Sequence, residues 1–370
     1  MRVLVVVTVQ HPLDARVVER QIGALLAAGH SVTLAAPFAQ AGAAPPPGVR
    51  TIDVPRASGR RRVAAFTAAR RVLRREAPRH DVVLLHEPEL VAASIGIRHP
   101  VIVWDVHEDT AAAVSMKAWI PGPLRAPAAG AVRRLERFAE RRMHLILAET
   151  AYADRFERPH PIIANTTIVP ESVRPSERGR AIYVGTLTSQ RGGDDLIEVG
   201  RRITPEITME ITGEAHGVFR QRLQDADARG DVVWHGYVAN AQALRSIEGA
   251  TVGLSLLHDE ANYRHSMPTK LIEYLARGVP FVSTPLPLAR ELAEASGGGV
   301  IVPFGDPGAV ADAVAMLNRD DEKRQAMADA GRQWVRDNAD WRHDGEAFVA
   351  QLERWARAGP TGAALPARRP

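Results

Sequence analysis

The sequence predicts an α/β protein built from two doubly wound halves, each a parallel sheet covered by helices on both faces. Three observations predict it. Short β-branched apolar runs alternate with helical stretches from end to end, which is the rhythm of βαβ units. The rhythm breaks once, near Pro161–Arg180, and then restarts. The 370 residues, 45% hydrophobic and 24% charged, supply apolar mass for two cores.

Each element follows from local pattern. Val3–Val9 is a nearly unbroken apolar run, as a strand buried on both faces requires. Asp14–Ala28 has helical spacing, with Asp14 as N-cap, and stops at Gly29. Ser31–Ala36 is the next strand, and Pro45–Pro47 marks a surface turn. Asp81–Leu85, Val101–Trp104 and Leu145–Ala148 are further strands with helical segments between them. Prolines 161, 170 and 175 and the polar residues around Ser176–Gly179 mark the domain boundary. The second series is Ala181–Val184, Thr208–Thr212, Val232–Trp234, Val252–Leu256, Phe281–Thr284 and Val300–Val302. Trp334–Ala358 reads as terminal helices, and the Ala-, Pro- and Arg-rich tail beyond them as disordered. The expected domains are therefore residues 1–165 and 166–335, with helices at 336–358 crossing back to the first domain and a tail at 359–370. Two such halves suggest a central cleft. Ligands of doubly wound sheets bind beyond the carboxyl ends of the strands, so the residues just after each strand carry the functional reading.

Composition excludes several classes. With no cysteine there is no disulfide scaffold, thiol catalysis or thiolate metal site. No stretch approaches the ~20 apolar residues of a membrane span. The first apolar run is too short for a signal peptide and lacks a small-residue cleavage site, which places the protein in the cytoplasm. The net charge is +4, and lysine occurs only at Lys117, Lys270 and Lys323, so arginine dominates the basic set. With abundant alanine, that skew suits a GC-rich bacterial genome. Aromatics are 5% and scattered, which argues against nucleic acid as a partner.

The most informative segment is residues 265–280, HSMPTKLIEYLARGVP. Ser266 or Thr269 can cap a helix, and Pro268 suits its first turn. Gly278 then ends it and Pro280 prevents its continuation. A helix N-terminus after a strand and loop suits a phosphate, and Lys270 adds a charge there. The alternative is a surface i,i+3 pair of Lys270 with Glu273. Residues 183–193, YVGTLTSQRGG, follow the first strand of the second half, where Arg191 can neutralise a diphosphate bidentately or simply sit in an exposed turn. In the first half, residues 86–90 (HEPEL) and 104–109 (WDVHED) both follow strands. His86, His107 and the neighbouring carboxylates could alternatively ligate zinc or manganese, although no ligand spacing is diagnostic.

The string PTKLIEYLARGVPFVST resembles the donor-binding segment of family 4 glycosyltransferases, retaining enzymes of the GT-B fold with two Rossmann-like domains. The resemblance implies that Glu273 binds the ribose of a nucleoside diphosphate sugar. His265 stands where the family carries a further glutamate that contacts the donor sugar or its phosphate. Ser266, Met267 and Thr269 stand where loop amides face the donor. The family's Gly-Arg-Leu and Lys-Gly, whose basic residues hold the diphosphate, correspond to Gly185-Thr186-Leu187 and Arg191-Gly192. One cation is missing at Thr186. Tyr237 and Val238, in the segment WHGYV, match residues that contact the base through the backbone. The Asp-x-His-Glu pattern resembles the region that keeps a histidine near the reacting sugar. It implies His107 as a catalytic residue with Arg191 and Lys270, and His86, Glu87 and Glu108 on the acceptor side.

The reading is a retaining hexosyl- or deoxyhexosyl-transferase. It uses a UDP- or GDP-type sugar, no separate cofactor and no metal, and its acceptor is a glycan, a lipid-linked glycan or a small molecule. The arginine-dense stretches Arg60–Arg79 and Arg125–Arg142 look like amphipathic helices that either face solvent or lie on an anionic membrane surface. The rival readings are a nucleotide-sugar epimerase of the same fold and a catalytically weak nucleotide-sugar-binding partner protein, the latter prompted by the missing glutamate and arginine.

Overall fold

The computed structural model describes residues 1–99, 101–111, 121–260 and 263–358. The tail 359–370 lies outside the described residues. The chain forms two compact units: residues 1–165 with the stretch from Arg342 onward, and Thr166–Trp341.

The first unit holds strands β1 (Arg2–Val6), β2 (Ser31–Ala36), β3 (Arg50–Asp53), β4 (Val82–Leu85), β5 (Ile102–Val106) and β6 (His144–Leu147). They pair in the order β3-β2-β1-β4-β5-β6, all parallel. Leu4 and Val6 of β1 pack with Val83, Leu85, Trp104 and Leu145 on one face of the sheet. Val3 and Val5, which alternate with them, are also fully buried. Both faces of the sheet are thus covered, and this is why the sequence shows a continuous apolar run instead of alternation. Asp14 caps the following helix through the amides of Arg16 and Val17. That helix is wound with wide i→i+5 turns over Ala15–Ile22 and continues as α-helix over Gly23–Ala27. Strand β3 is an addition to the sequence reading. It is an edge strand with no buried residue, so it carries no apolar run to betray it.

The second unit repeats the plan with β7 (Arg180–Val184), β8 (Thr208–Thr212), β9 (Val233–Trp234), β10 (Val252–Ser255), β11 (Phe281–Ser283) and β12 (Gly299–Ile301). The order is β12-β11-β10-β7-β8-β9, again all parallel. Helices Gly193–Ile203, Gly217–Ala228 and Pro307–Arg319 contribute to the core on one face. Asn240–Ile247, Thr269–Ala276 and Pro287–Ser296 do so on the other.

In both units the strand order reverses beside the first strand, between β1 and β4 and between β7 and β10. Chain connections leave in opposite directions there, so a crevice opens outside the carboxyl ends of those strands.

Candidate active site

In the second unit this crevice is framed by loops that are fastened to one another. After β7, Gly185 takes φ 131° and its amide donates to Thr212 O (2.9 Å) at the end of β8. A Cβ on Gly213 would lie 1.9 Å from Gly185 O, so only glycine permits this approach. Gly213 N in turn donates to Gly236 O (2.8 Å), which ties in the segment carrying Tyr237 and Val238. Thr188 accepts from Arg191 N, and a Cβ on Gly192 would lie 2.1 Å from Leu256 O just after β10. The loops after β7, β8, β9 and β10 therefore form one rigid rim.

Helix Thr269–Ala276 reaches this rim with its N-terminus. Pro268 stands at the N-cap and supplies no side-chain hydrogen bond. The expected cap by Ser266 or Thr269 is not formed, because Thr269 is already the first helical residue. Tyr274 fixes the helix in place: its hydroxyl accepts from Val184 N (3.1 Å) and donates to Leu254 O (3.1 Å), bridging β7 and β10 where their ladder stops. Gly253 leaves room for that ring, since a Cβ there would meet it at 2.3 Å.

This helix buries Lys270 Nζ and Glu273. Lys270 Nζ has no hydrogen-bond partner and is shut off from solvent. It stands 3.7 Å from the centre of the Tyr183 ring and 3.5 Å from where a Cβ of Gly185 would be. Burial holds its pKa well below the ordinary lysine value, Arg191 adds to that depression and Glu273 opposes it. Glu273 is itself buried. A solvated surface pair of Lys270 and Glu273 is thereby excluded. Arg191, Met267, Ser266 and Thr269 are half-buried around the same helix end, His265 and Thr186 are exposed, and Tyr237 is exposed while Val238 packs on the core.

The first unit builds a different set at its own crevice. Glu87, after β4, turns its carboxylate onto the amides of Thr8 (3.1 Å), Val9 (2.9 Å) and Gln10 (3.3 Å) after β1. Burial pushes its pKa up to about 7 against the pull of those amides. Its oxygens thus brace a loop and do not present an open acceptor-side group. Asp105 is fully buried and paired with Arg16, whose Nε and Nη2 donate to its two oxygens at 2.8 and 2.7 Å. Gln21 Nε2 adds a third donor at 3.0 Å. Burial raises the Asp105 carboxyl, but Arg16 outweighs it and holds the group well below the usual carboxylate range.

His107 Nδ1 lies 3.5 Å from Asp105 Oδ2, and His86 Nδ1 lies 3.4 Å from the same oxygen. Burial lowers the pKa of His86. Burial also pulls His107 down, yet the hydrogen bond and charge of Asp105 prevail and its pKa is raised. Its Nε2 meets the Gln10 amide. His86 is sealed from solvent, so of the two histidines only His107 faces outward, with Glu108 exposed beside it. His86, Asp105 and His107 are also the one group among the described residues whose ligand-type atoms lie within 4.8 Å of one another. The donor set does not suit a cation, because Arg16 already places a guanidinium on both Asp105 oxygens.

A cavity of about 700 Å³, lined by Met1, His30, Asp81, His99 and Arg357 among others, lies at the amino-terminal edge of the first sheet. That is the end away from the ligand crevice of such folds.

Two doubly wound units of this kind form the GT-B fold. Residues 165–334 match the family model of glycosyl transferases group 1. Solved structures of like fold include sucrose-phosphate synthase from Thermosynechococcus elongatus (16% identity, TM-score 0.74, 96% of this chain and 99% of that one). Anabaena HepE in complex with UDP and glucose is similar (14%, 0.71, 96% and 100%), as is α,α-trehalose 6-phosphate synthase from Burkholderia multivorans (14%, 0.66, 97% and 100%). No curated protein matches the sequence.

Proposed function

We propose that the protein moves a hexose or deoxyhexose from a nucleoside diphosphate sugar to a hydroxyl acceptor with retention, the second unit binding the donor and the first the acceptor. The observation that carries this reading is Lys270: a buried ammonium without a hydrogen-bond partner, at a helix N-terminus, beside Arg191. An unpaired buried cation is costly, and a diphosphate is the partner that repays it. Glu273, one turn along the same helix, takes the ribose hydroxyls. The amide-lined rim at Gly236 takes the base through Tyr237 and Val238, and Ser266, Met267 and Thr269 surround the phosphates. HepE holds UDP and glucose, so a UDP-hexose is the first donor to test, ahead of a GDP sugar.

The chemistry asked of the site is electrostatic. The bond between the anomeric carbon and the diphosphate oxygen breaks, and its electron pair stays on the diphosphate. Arg191, Lys270 and the helix N-terminus neutralise that charge as it develops. The acceptor oxygen bonds to the anomeric carbon, and its proton passes to a diphosphate oxygen. His107, held by Asp105, orients a sugar hydroxyl, and Glu108 lies beside it on the acceptor side. The acceptor is a glycan, a lipid-linked glycan or a small molecule, and the enzyme works in the cytoplasm. Helices Arg62–Glu76 and Gly122–Arg142 expose Arg71, Arg74, Arg134, Arg137 and Arg141, which supports contact with an anionic membrane surface.

The test is thermal unfolding of the purified protein with UDP, GDP and dTDP and their sugar conjugates. A nucleotide at 100 times its dissociation constant adds about 2.7 kcal/mol and raises Tm by several degrees. Glu273→Ala lowers that response while leaving the unliganded Tm near wild type. No response to any nucleotide, or an undiminished one in Glu273→Ala, contradicts the donor site as drawn.

A further inference from the structure

We infer that Tyr183 is a positioning residue of the donor site, its ring face holding the Lys270 ammonium in place for the diphosphate; the inference rests on the donor-site reading above. Lys270 Nζ is stripped of water and has no hydrogen-bond acceptor. The charges that face it are Arg191, from the loop after β7, which repels it, and Glu273, on its own helix, which favours it. What touches it is the Tyr183 ring, 3.7 Å from ring centre to Nζ. That distance is well inside the ~6 Å reach of a cation–π attraction, which strengthens on desolvation.

The ring is fixed at both ends. Tyr183 lies on β7, is fully buried in the core, and packs among that unit's apolar side chains. Its hydroxyl donates to Thr186 O (3.0 Å), in the loop that carries Gly185 past Nζ. One side chain thus sets both the height of the cation and the path of the loop that must approach the phosphates. Without the π face, the ammonium has neither acceptor nor ring. It gives up its proton or turns toward solvent, and the diphosphate meets no preset charge.

A double-mutant cycle on UDP binding, read by titration calorimetry, tests this. Tyr183→Leu is expected to weaken UDP binding by about ten- to thirtyfold, the scale of one desolvated cation–π contact. Tyr183→Phe, which keeps the ring, recovers most of that loss. In a Lys270→Met background, Tyr183→Leu causes little further loss, because its effect acts through the missing ammonium. A purely structural role would give additive losses. If Leu leaves a cavity that unfolds the unit, Tyr183→Met fills more of the space and still lacks a π face. Tyr183→Leu (or →Met) that binds UDP like wild type, or losses that add in the double variant, overturn the inference alone. Wild-type protein that binds none of UDP, GDP and dTDP overturns the donor-site reading and this inference with it.

Discussion

Lys270 ties the chemistry of the site to pH. In the empty site burial lowers its pKa, with Arg191 adding to the effect, so the proton is held less firmly than on a free lysine. A bound diphosphate restores the charge and raises the pKa. Binding therefore takes up a proton wherever the pH lies between the two values. On the proposed donor site, UDP affinity is expected to be constant below the empty-site value and to fall as pH rises through it, about tenfold per pH unit at most. Calorimetry in two buffers of different ionisation enthalpy measures that uptake. Lys270→Arg should abolish it, since a guanidinium keeps its proton, although bidentate geometry will change the affinity itself. A pH-independent wild type would show that Lys270 is charged throughout. The helix that carries Lys270 and Glu273 was legible in the sequence because its residues form one local string, whereas its cap was not: Pro268 stands at the N-cap without a side-chain hydrogen bond. Nor were Arg16, Gln21 and Tyr183. Arg16 lies 89 positions from Asp105, and nothing near either residue announces the pair. Glu87 was read from its place after a strand, but the direction of its carboxylate depends on amides 77 to 79 positions away.

At the level of elements, the loops matter more than the strands. The strands were legible because burial on both faces demands continuous apolar runs, and the exception, β3, is an edge strand with no buried residue. What the pattern of apolar residues does not encode is how closely two loops approach. Gly213 shows this. Its φ is 145°, and a Cβ would sit 1.9 Å from Gly185 O. Gly213→Ala must push the loop after β7 away from the loop after β8, at about 1–3 kcal/mol for the strain, and Gly185 lies against Lys270. The expected outcome is a lower Tm together with weaker UDP binding. Gly230→Ala is the control. Gly230 has φ 80° with nothing within 4 Å of the added carbon. It carries the backbone strain of about 1–2 kcal/mol without displacing a loop, so Tm falls while UDP affinity stays near wild type. Equal affinity losses in the two variants would mean that strain in the unit, not the loop path, governs the site.

For the molecule as a whole, the chain does not finish where its second unit does. The last helix, Trp341–Ala358, belongs from Arg342 onward to the first unit. It buries Phe348 and Leu352 completely, its Glu353 lies 3.1 Å from His30 Nε2, and Trp355 stacks on His144 at 4.3 Å between ring centres. Burial keeps that histidine neutral, with a pKa lowered to about 4, so the stack persists across the physiological range. Removing two fully buried side chains of this size costs about 2–5 kcal/mol each. Together that is comparable with the roughly 5–15 kcal/mol that holds a domain folded. A chain ending at Trp341 is therefore expected to lose most of the first unit's stability. The second unit keeps every residue of the proposed donor set, from Gly185 through Glu273, and both of its apolar clusters. Calorimetry of the truncated chain should show the first unit's transition at much lower temperature or absent. The second unit's transition should remain, and UDP should still raise it. Sugar transfer, for which His107 in the first unit is the proposed positioning group, should be lost. If UDP no longer stabilises the truncated chain, donor binding depends on the first unit, and the division of labour proposed between the two units is wrong.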